Sequence, residues 1–100
     1  MRDIIFKLIF NNMPIPNNIN KNHILEAIRK VDRDGVPENR KLRKWGVKFN
    51  KEIYPCKLLI SWGNLYANGV ELDPNPNNFQ TNIAQDFLKN LGFEIVRVTK

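Results

Sequence analysis

Lysine and arginine side chains cluster in the middle of this 100-residue chain. Of the residue types in the sequence, their type and spacing give the clearest indication of what the protein binds. Residues 29–57 carry ten basic and four acidic side chains, whereas residues 1–28 have a net charge of +1 and residues 58–100 one of −1. The net charge of the whole chain, +6, therefore arises in one segment. A concentrated basic segment is typical of a surface that follows a phosphate backbone. The alternative is a solvated basic face that only keeps the protein in solution.

The basic side chains between residues 41 and 57 are the predicted DNA-phosphate contacts. They are Lys41, Arg43, Lys44, Lys48, Lys51 and Lys57. Lys57 falls in the first turn of a predicted helix, where it opposes the positive end of the helix dipole, so a phosphate bound there would remove the conflict. The alternative is that Lys57 points into water, at a cost of about a few tenths of a kcal/mol.

Aromatic and asparagine side chains are interleaved with these charges and supply candidates for reading a base. The base-stacking candidates are Trp45, Tyr54 and Trp62, since aromatic rings stack on extruded or unpaired bases. Asn50 and Asn64 are the candidates for hydrogen bonding to a base edge. We predict a flipped base against at least one of Trp45 and Tyr54. Two alternatives remain open: the rings pack in the core, or the hairpin tip reads the major groove without flipping.

Residue types needed for catalysis or metal binding are scarce. The chain has one His, one Cys and five scattered Gly, and it lacks an Asp followed by a Glu-x-Lys triplet. We therefore predict no catalytic residues, no metal site and no cofactor. Cys56 is predicted to be a packed thiol, with a thiol of lowered pKa as the alternative. His23 is expected at the surface or in a helix cap.

The elements that must position these residues follow from composition and periodicity. A chain with 42% hydrophobic and 26% charged residues is typical of an ordered globular domain. We predict a single α+β DNA-recognition domain over residues 1–100, with an N-terminal strand and loop over 1–19 and a core over 20–98. The predicted order is βαββααβ, with a mixed sheet packed against three helices. The elements are a strand at 4–10 (a short helix is the alternative), helices from Asn20, Pro55 and Thr81, a hairpin turning at Asn50-Lys51, and a strand at 93–98.

Local signals predict where the helices begin, end and face the core. Asn20 is a good N-cap, Ile19 and Ile24 have the spacing of a hydrophobic staple, and Gly35 is expected to end the helix. The predicted inward positions are Ile24, Leu25, Ile28 and Val31; then Leu58, Leu59, Trp62, Leu65 and Tyr66; then Ile83, Ala84, Phe87, Leu88 and Leu91.

The apolar run from Ile4 to Phe10 bears on location. It is too short and too interrupted for a membrane span or a convincing signal peptide. We therefore predict a cytoplasmic protein with no membrane association.

Two short motifs resemble a known family. The first is the run from Trp45 to Lys57, in which a strand and turn lead through Tyr54-Pro55-Cys56-Lys57 into an apolar helix. The second is Leu91-Gly92-Phe93 with the strand that follows. Together they resemble the N-terminal head domain of Mcr-type (type IV, modification-dependent) restriction enzymes over residues 22–97. Three positions depart from that pattern: Cys56 replaces a second proline, Lys51 replaces a turn glycine, and a glycine pair is absent around Asn77-Asn78.

The resemblance implies a function that composition alone does not. It implies a non-catalytic module that binds double-stranded DNA and selects methylated or hydroxymethylated cytosine for a restriction system. Cleavage would belong to a nuclease or nucleotide-hydrolysing domain in the full-length protein or complex. The alternatives are a protein-interaction head domain of a restriction complex, or a module that binds single strands or RNA.

Overall fold

Three helices and a three-stranded antiparallel sheet form the described part of the chain, which in this computed structural model comprises residues 15–41, 44–73 and 80–98. The α+β class is therefore confirmed. The predicted first strand, at 4–10, lies outside the described residues, so the full βαββααβ order stays a prediction. In chain order the elements are α1 (Lys21–Asp34), a 3₁₀ turn (Glu38–Arg40), β1 (Trp45–Phe49), β2 (Glu52–Pro55), α2 (Cys56–Asn68), α3 (Thr81–Asn90) and β3 (Glu94–Arg97).

The sheet has the order β2-β1-β3, with β1 in the centre. Both pairings are antiparallel, which corrects the predicted mixed sheet for the described strands. The physical reason is that a tight turn reverses the chain between β1 and β2, and that β3 returns from α3 against the direction of β1. Val47 is paired with Tyr54 and with Ile95, so these three side chains share the face that meets the helices.

The turn between β1 and β2 forms at Asn50-Lys51, as predicted. Asn50 has φ 50° and Lys51 has φ 72°, and positive φ at both central residues is the pattern of a type I′ hairpin turn. Asn tolerates this left-handed region, whereas Lys adopts it at a cost that Gly would avoid. Lys51 therefore leaves the turn intact but strained.

Helix α1 begins at a reciprocal cap. The Asn20 side chain accepts a hydrogen bond from the His23 backbone N–H (3.1 Å), and His23 Nδ1 accepts one from the Asn20 N–H (3.0 Å). The predicted N-cap is confirmed, and His23 is a capping residue. The helix ends at Gly35, whose N–H donates to the Val31 carbonyl oxygen over 2.8 Å.

Helix α2 lies at the centre of the described core and contacts α1, α3 and the sheet. Gly63 allows the close approach to α1, because a Cβ there would lie 2.8 Å from Ile24 Cδ1 and 3.4 Å from Ile19 Cγ2. The core comprises Ile15, Ile19, Ile24, Ala27, Ile28, Val31, Val47, Tyr54, Cys56, Leu58, Leu59, Ile60, Trp62, Ala84, Leu88 and Phe93.

Two predicted inward positions are wrong. Tyr66 is 39% exposed and Ile83 is 38% exposed. Both have the correct helical spacing, but Tyr66 lies in the last turn of α2 and Ile83 in the first turn of α3. The buried residues of α2 end at Asn64 and those of α3 begin at Ala84, so tertiary packing leaves the last turn of α2 and the first three residues of α3 uncovered.

Candidate nucleic-acid interface

Residues 44–54 form a basic hairpin that presents three lysines to solvent. Lys44, Lys48 and Lys51 are exposed, and none of the three forms an ion pair with another described residue. Asn50 is exposed at the tip. Lys48 is paired across the sheet with Glu94, which lowers the net charge of that face. Even so, three lysines against Glu52 leave the hairpin with a net positive charge.

Other basic residues of the segment are engaged locally. Lys30 Nζ lies 3.0 Å from an Asp34 carboxylate oxygen, and Arg33 Nε lies 3.2 Å from the other. Lys41 is exposed, with its Nζ 3.1 Å from a Glu38 carboxylate oxygen. Exposed pairs of this kind are weak, so Lys41 can exchange Glu38 for a phosphate at little cost. Arg43 lies outside the described residues.

Lys57 belongs to a different electrostatic environment from the hairpin lysines. It is half-buried in the first turn of α2, and burial and then the nearby Arg40 guanidinium lower its pKa, while Asp73 raises it. Burial also lowers the pKa of Arg40, whose buried Nη2 atom has no hydrogen-bond partner among the described residues. The structure therefore groups Lys57 with Arg40 and Asp73.

Trp45 is the only one of the three base-stacking candidates that the structure leaves exposed. Its side chain is 37% exposed at the start of β1. It pairs across the sheet with Arg97 of β3, whose guanidinium carbon lies 5.6 Å from the centroid of the Trp45 ring. Arg97 is not among the site residues predicted from the sequence, because only the antiparallel register of β1 and β3 brings it beside Trp45.

Tyr54 and Trp62 are core residues, which corrects their prediction as base-stacking residues. Tyr54 is 4% exposed, and its hydroxyl donates a hydrogen bond to Asp32 Oδ1 over 2.8 Å. Burial, followed by this carboxylate, raises the pKa of Tyr54 to about 12. Trp62 is 5% exposed, and Lys30 Nζ lies 4.7 Å from its ring centroid. Neither ring has a free face for a base in this conformation.

Asn64 is also unavailable to a base. Its Nδ2 donates to the Val70 carbonyl oxygen over 2.9 Å, and its Oδ1 accepts from Asn68 Nδ2 over 2.6 Å. It is buried, so its amide ties the loop after α2 to the helix. Asn50 thus remains as the predicted edge-reading residue that is exposed.

Cys56 is a packed thiol, as predicted. It is 3% exposed, and burial raises its pKa to about 11. A buried thiol with a raised pKa is a poor nucleophile at neutral pH. In the part of the chain that the structure describes, no three His, Cys, Asp or Glu side chains group together as metal ligands.

None of the helices in residues 15–41, 44–73 and 80–98 is both long enough and apolar enough to cross a membrane.

The comparisons with known proteins do not identify a family for this chain. No protein-family model, curated protein or solved structure matches this chain, so the resemblance to Mcr-type head domains remains a prediction.

Proposed function

We propose that this chain is a non-catalytic module that binds double-stranded DNA and selects methylated or hydroxymethylated cytosine for a restriction system. The observation that carries DNA binding is the basic hairpin, on which three exposed lysines that form no ion pair with another described residue accompany an exposed Trp45. Selection of modified cytosine rests on the resemblance over residues 22–97. The proposal includes the full βαββααβ order as one domain, with cleavage carried out by a nuclease or nucleotide-hydrolysing domain or subunit.

The dimensions of the hairpin suit a DNA groove. Lys44 and Lys48 alternate to the same face of the strand, and four residues of strand span about 13 Å. The major groove is about 12 Å wide and admits a two-stranded β-ribbon. The two lysines can therefore each reach a separate backbone phosphate while Asn50, at the tip, approaches the base edges.

Trp45 is the residue on which a flipped base would stack. Flipping a base costs about a few kcal/mol of unstacking, which stacking on an aromatic ring offsets. Because Tyr54 and Trp62 are buried, Trp45 is the one of the three predicted rings that can supply this contact. Readout of the major groove by Asn50 is the mechanism that would operate without flipping.

A salt titration of duplex binding tests the basic hairpin. With about four to six phosphate contacts, the slope of log K against log salt should be roughly −3 to −5. The double variant Lys44→Gln/Lys48→Gln should reduce this slope by about two, since each lost phosphate contact removes about 0.9. The charge-matched control is Arg29→Gln/Lys89→Gln, on α1 and α3, which should leave it unchanged. A flat salt dependence of the unaltered protein would overturn the proposal.

A panel of duplexes tests the selection of modified cytosine. Affinity should be higher for 5-methylcytosine or 5-hydroxymethylcytosine than for the unmodified duplex, with N4-methylcytosine as a further comparison. Trp45→Ala should abolish the preference and leave weak, salt-sensitive binding, whereas Tyr66→Ala, at an exposed ring on α2, should retain it. A 2-aminopurine beside the target should brighten on binding if the stack opens. An unchanged preference in Trp45→Ala without a fluorescence rise would favour Asn50 and groove readout.

One observation favours a protein-interaction head as the second candidate. Ile53 is 39% exposed on β2, which is an edge strand of the described sheet. An exposed apolar residue on an edge strand suits pairing with a partner protein. The same binding panel separates the candidates, because a protein-interaction head would bind no duplex with measurable salt dependence. Tighter binding of single strands or RNA than of duplex would indicate the remaining alternative.

A further inference from the structure

Arg97 lies over the Trp45 ring at one end of the β1–β3 ladder. The two residues are cross-strand partners, and the guanidinium carbon is 5.6 Å from the ring centroid. Both side chains are exposed. The Val98 N–H donates to the Lys44 carbonyl oxygen over 2.6 Å, so the hydrogen-bonded backbone continues past the pair. The sheet register therefore holds Arg97 beside Trp45.

The Trp45 ring is a weak partner for Arg97. No carboxylate among the described residues forms an ion pair with Arg97. An exposed contact between a cation and an aromatic ring stabilises by only about 0.5–1 kcal/mol. A phosphate offers the planar guanidinium two parallel, charge-assisted hydrogen bonds, which are stronger. A phosphate near this end of the sheet would therefore compete with the ring for Arg97.

A base that stacks on Trp45 would occupy the same space over the ring that Arg97 occupies in the free protein. A base stacks on the face of an aromatic side chain, and Arg97 occupies space over the Trp45 ring. Phosphate binding by Arg97 and base stacking on Trp45 are thus geometrically linked.

We propose that Arg97 is a DNA-phosphate contact that rests on Trp45 in the free protein and exchanges the ring for a phosphate when a base stacks there. This inference rests on the proposed DNA-binding function. It assigns to Arg97 two linked effects: covering the stacking surface in the absence of DNA, and anchoring the backbone beside the stacked base.

The experiment compares Arg97→Gln and Arg97→Lys with Lys89→Gln, a control that removes an exposed charge from α3. Binding to unmodified and 5-methylcytosine duplexes is measured over a series of salt concentrations. Arg97→Gln should weaken binding roughly five- to tenfold and lower the salt slope by about one. Arg97→Lys should keep the slope, because it keeps the charge, and lose part of the affinity, because it lacks the planar fork.

Two further measurements test the exchange itself. Acrylamide should quench the indole fluorescence of Arg97→Gln more than that of the unaltered protein, because Trp45 is uncovered while Trp62 stays buried. Arg97→Gln should also cost more affinity in the Trp45→Ala background than in the unaltered protein. In the unaltered protein, loss of the phosphate contact is partly offset by release of the ring.

The outcomes separate this inference from the function on which it rests. If the unaltered protein binds no duplex, the proposed function is overturned and the inference falls with it. If the unaltered protein binds duplex but Arg97→Gln matches Lys89→Gln in slope and quenching, the inference alone is overturned. Equal losses in both Trp45 backgrounds would overturn the exchange.

Discussion

Removing the Tyr54 hydroxyl tests how β2 is joined to α1. In Tyr54→Phe the ring still fills its buried site, but the 2.8 Å hydrogen bond to Asp32 is lost. A hydrogen bond to a charged group contributes about 1.5–3 kcal/mol, but exposed Asp32 can bond to water instead. We therefore expect Tyr54→Phe to lower the free energy of unfolding by about 1–1.5 kcal/mol at pH 7.

Raising the pH should reverse this order of stability. The pKa of Tyr54 is about 12 in the folded protein against an ordinary value of 10.0, so folding favours its neutral form. The stabilisation that comes from the raised pKa of Tyr54 is fully present below pH 10 and is lost as pH rises through 12. Between these values the unaltered protein loses about 1.4 kcal/mol per pH unit relative to Tyr54→Phe. The two proteins should be equally stable near pH 11, and above it the variant should be the more stable.

Urea denaturation of both proteins from pH 7 to pH 11.5 or so measures the difference directly. Taking the difference cancels every ionisation that the two proteins share. Tyr66→Phe, at an exposed ring, is the matched control and should change stability by no more than about 0.5 kcal/mol at pH 7. A difference between the unaltered protein and Tyr54→Phe that stays constant across this range would refute the reasoning, since Tyr54 would then titrate alike in both states.

Three further predictions concern stability and reactivity. Leu59→Ala should lower the free energy of unfolding, measured by urea denaturation, by about 2–5 kcal/mol, because Leu59 is fully buried. Phe87→Ala should lower it by less, because Phe87 is only partly buried. Equal stability of Leu59→Ala and the unaltered protein would show that Leu59 does not pack in the core. Lys51→Gly should stabilise the protein by about 0.5–1 kcal/mol, because Gly adopts φ 72° without the steric strain of a side chain. The same variant should lower the salt slope of DNA binding by about one, because it removes a charge. A less stable variant would argue against strain in the turn. Cys56 should react with a disulfide reagent at neutral pH only as fast as the protein opens, so rapid labelling of the native state would show that it is not buried.

Local signals in the sequence were sufficient for the two ends of α1 and for the hairpin turn. Asn20 and Gly35 delimit α1, and Asn50-Lys51 forms the hairpin turn, because capping and turn formation depend on a few neighbouring residues. The position of the basic residues on the hairpin follows from the same local prediction. Exposure of Lys44, Lys48 and Lys51 could thus be anticipated from the alternation along β1 and from the turn.

Tertiary packing decided which of the chemically interesting residues are accessible. Trp45, Tyr54 and Trp62 lie at similar distances from the basic residues along the chain, yet only Trp45 is exposed, since the other two face α1 and the core. The side-chain amide of Asn64 is engaged in hydrogen bonds with Val70 and Asn68. Arg97 reaches Trp45 only through strand register. Periodicity gives the face of an element, but burial depends on what packs against that face, and this is a property of the assembled fold.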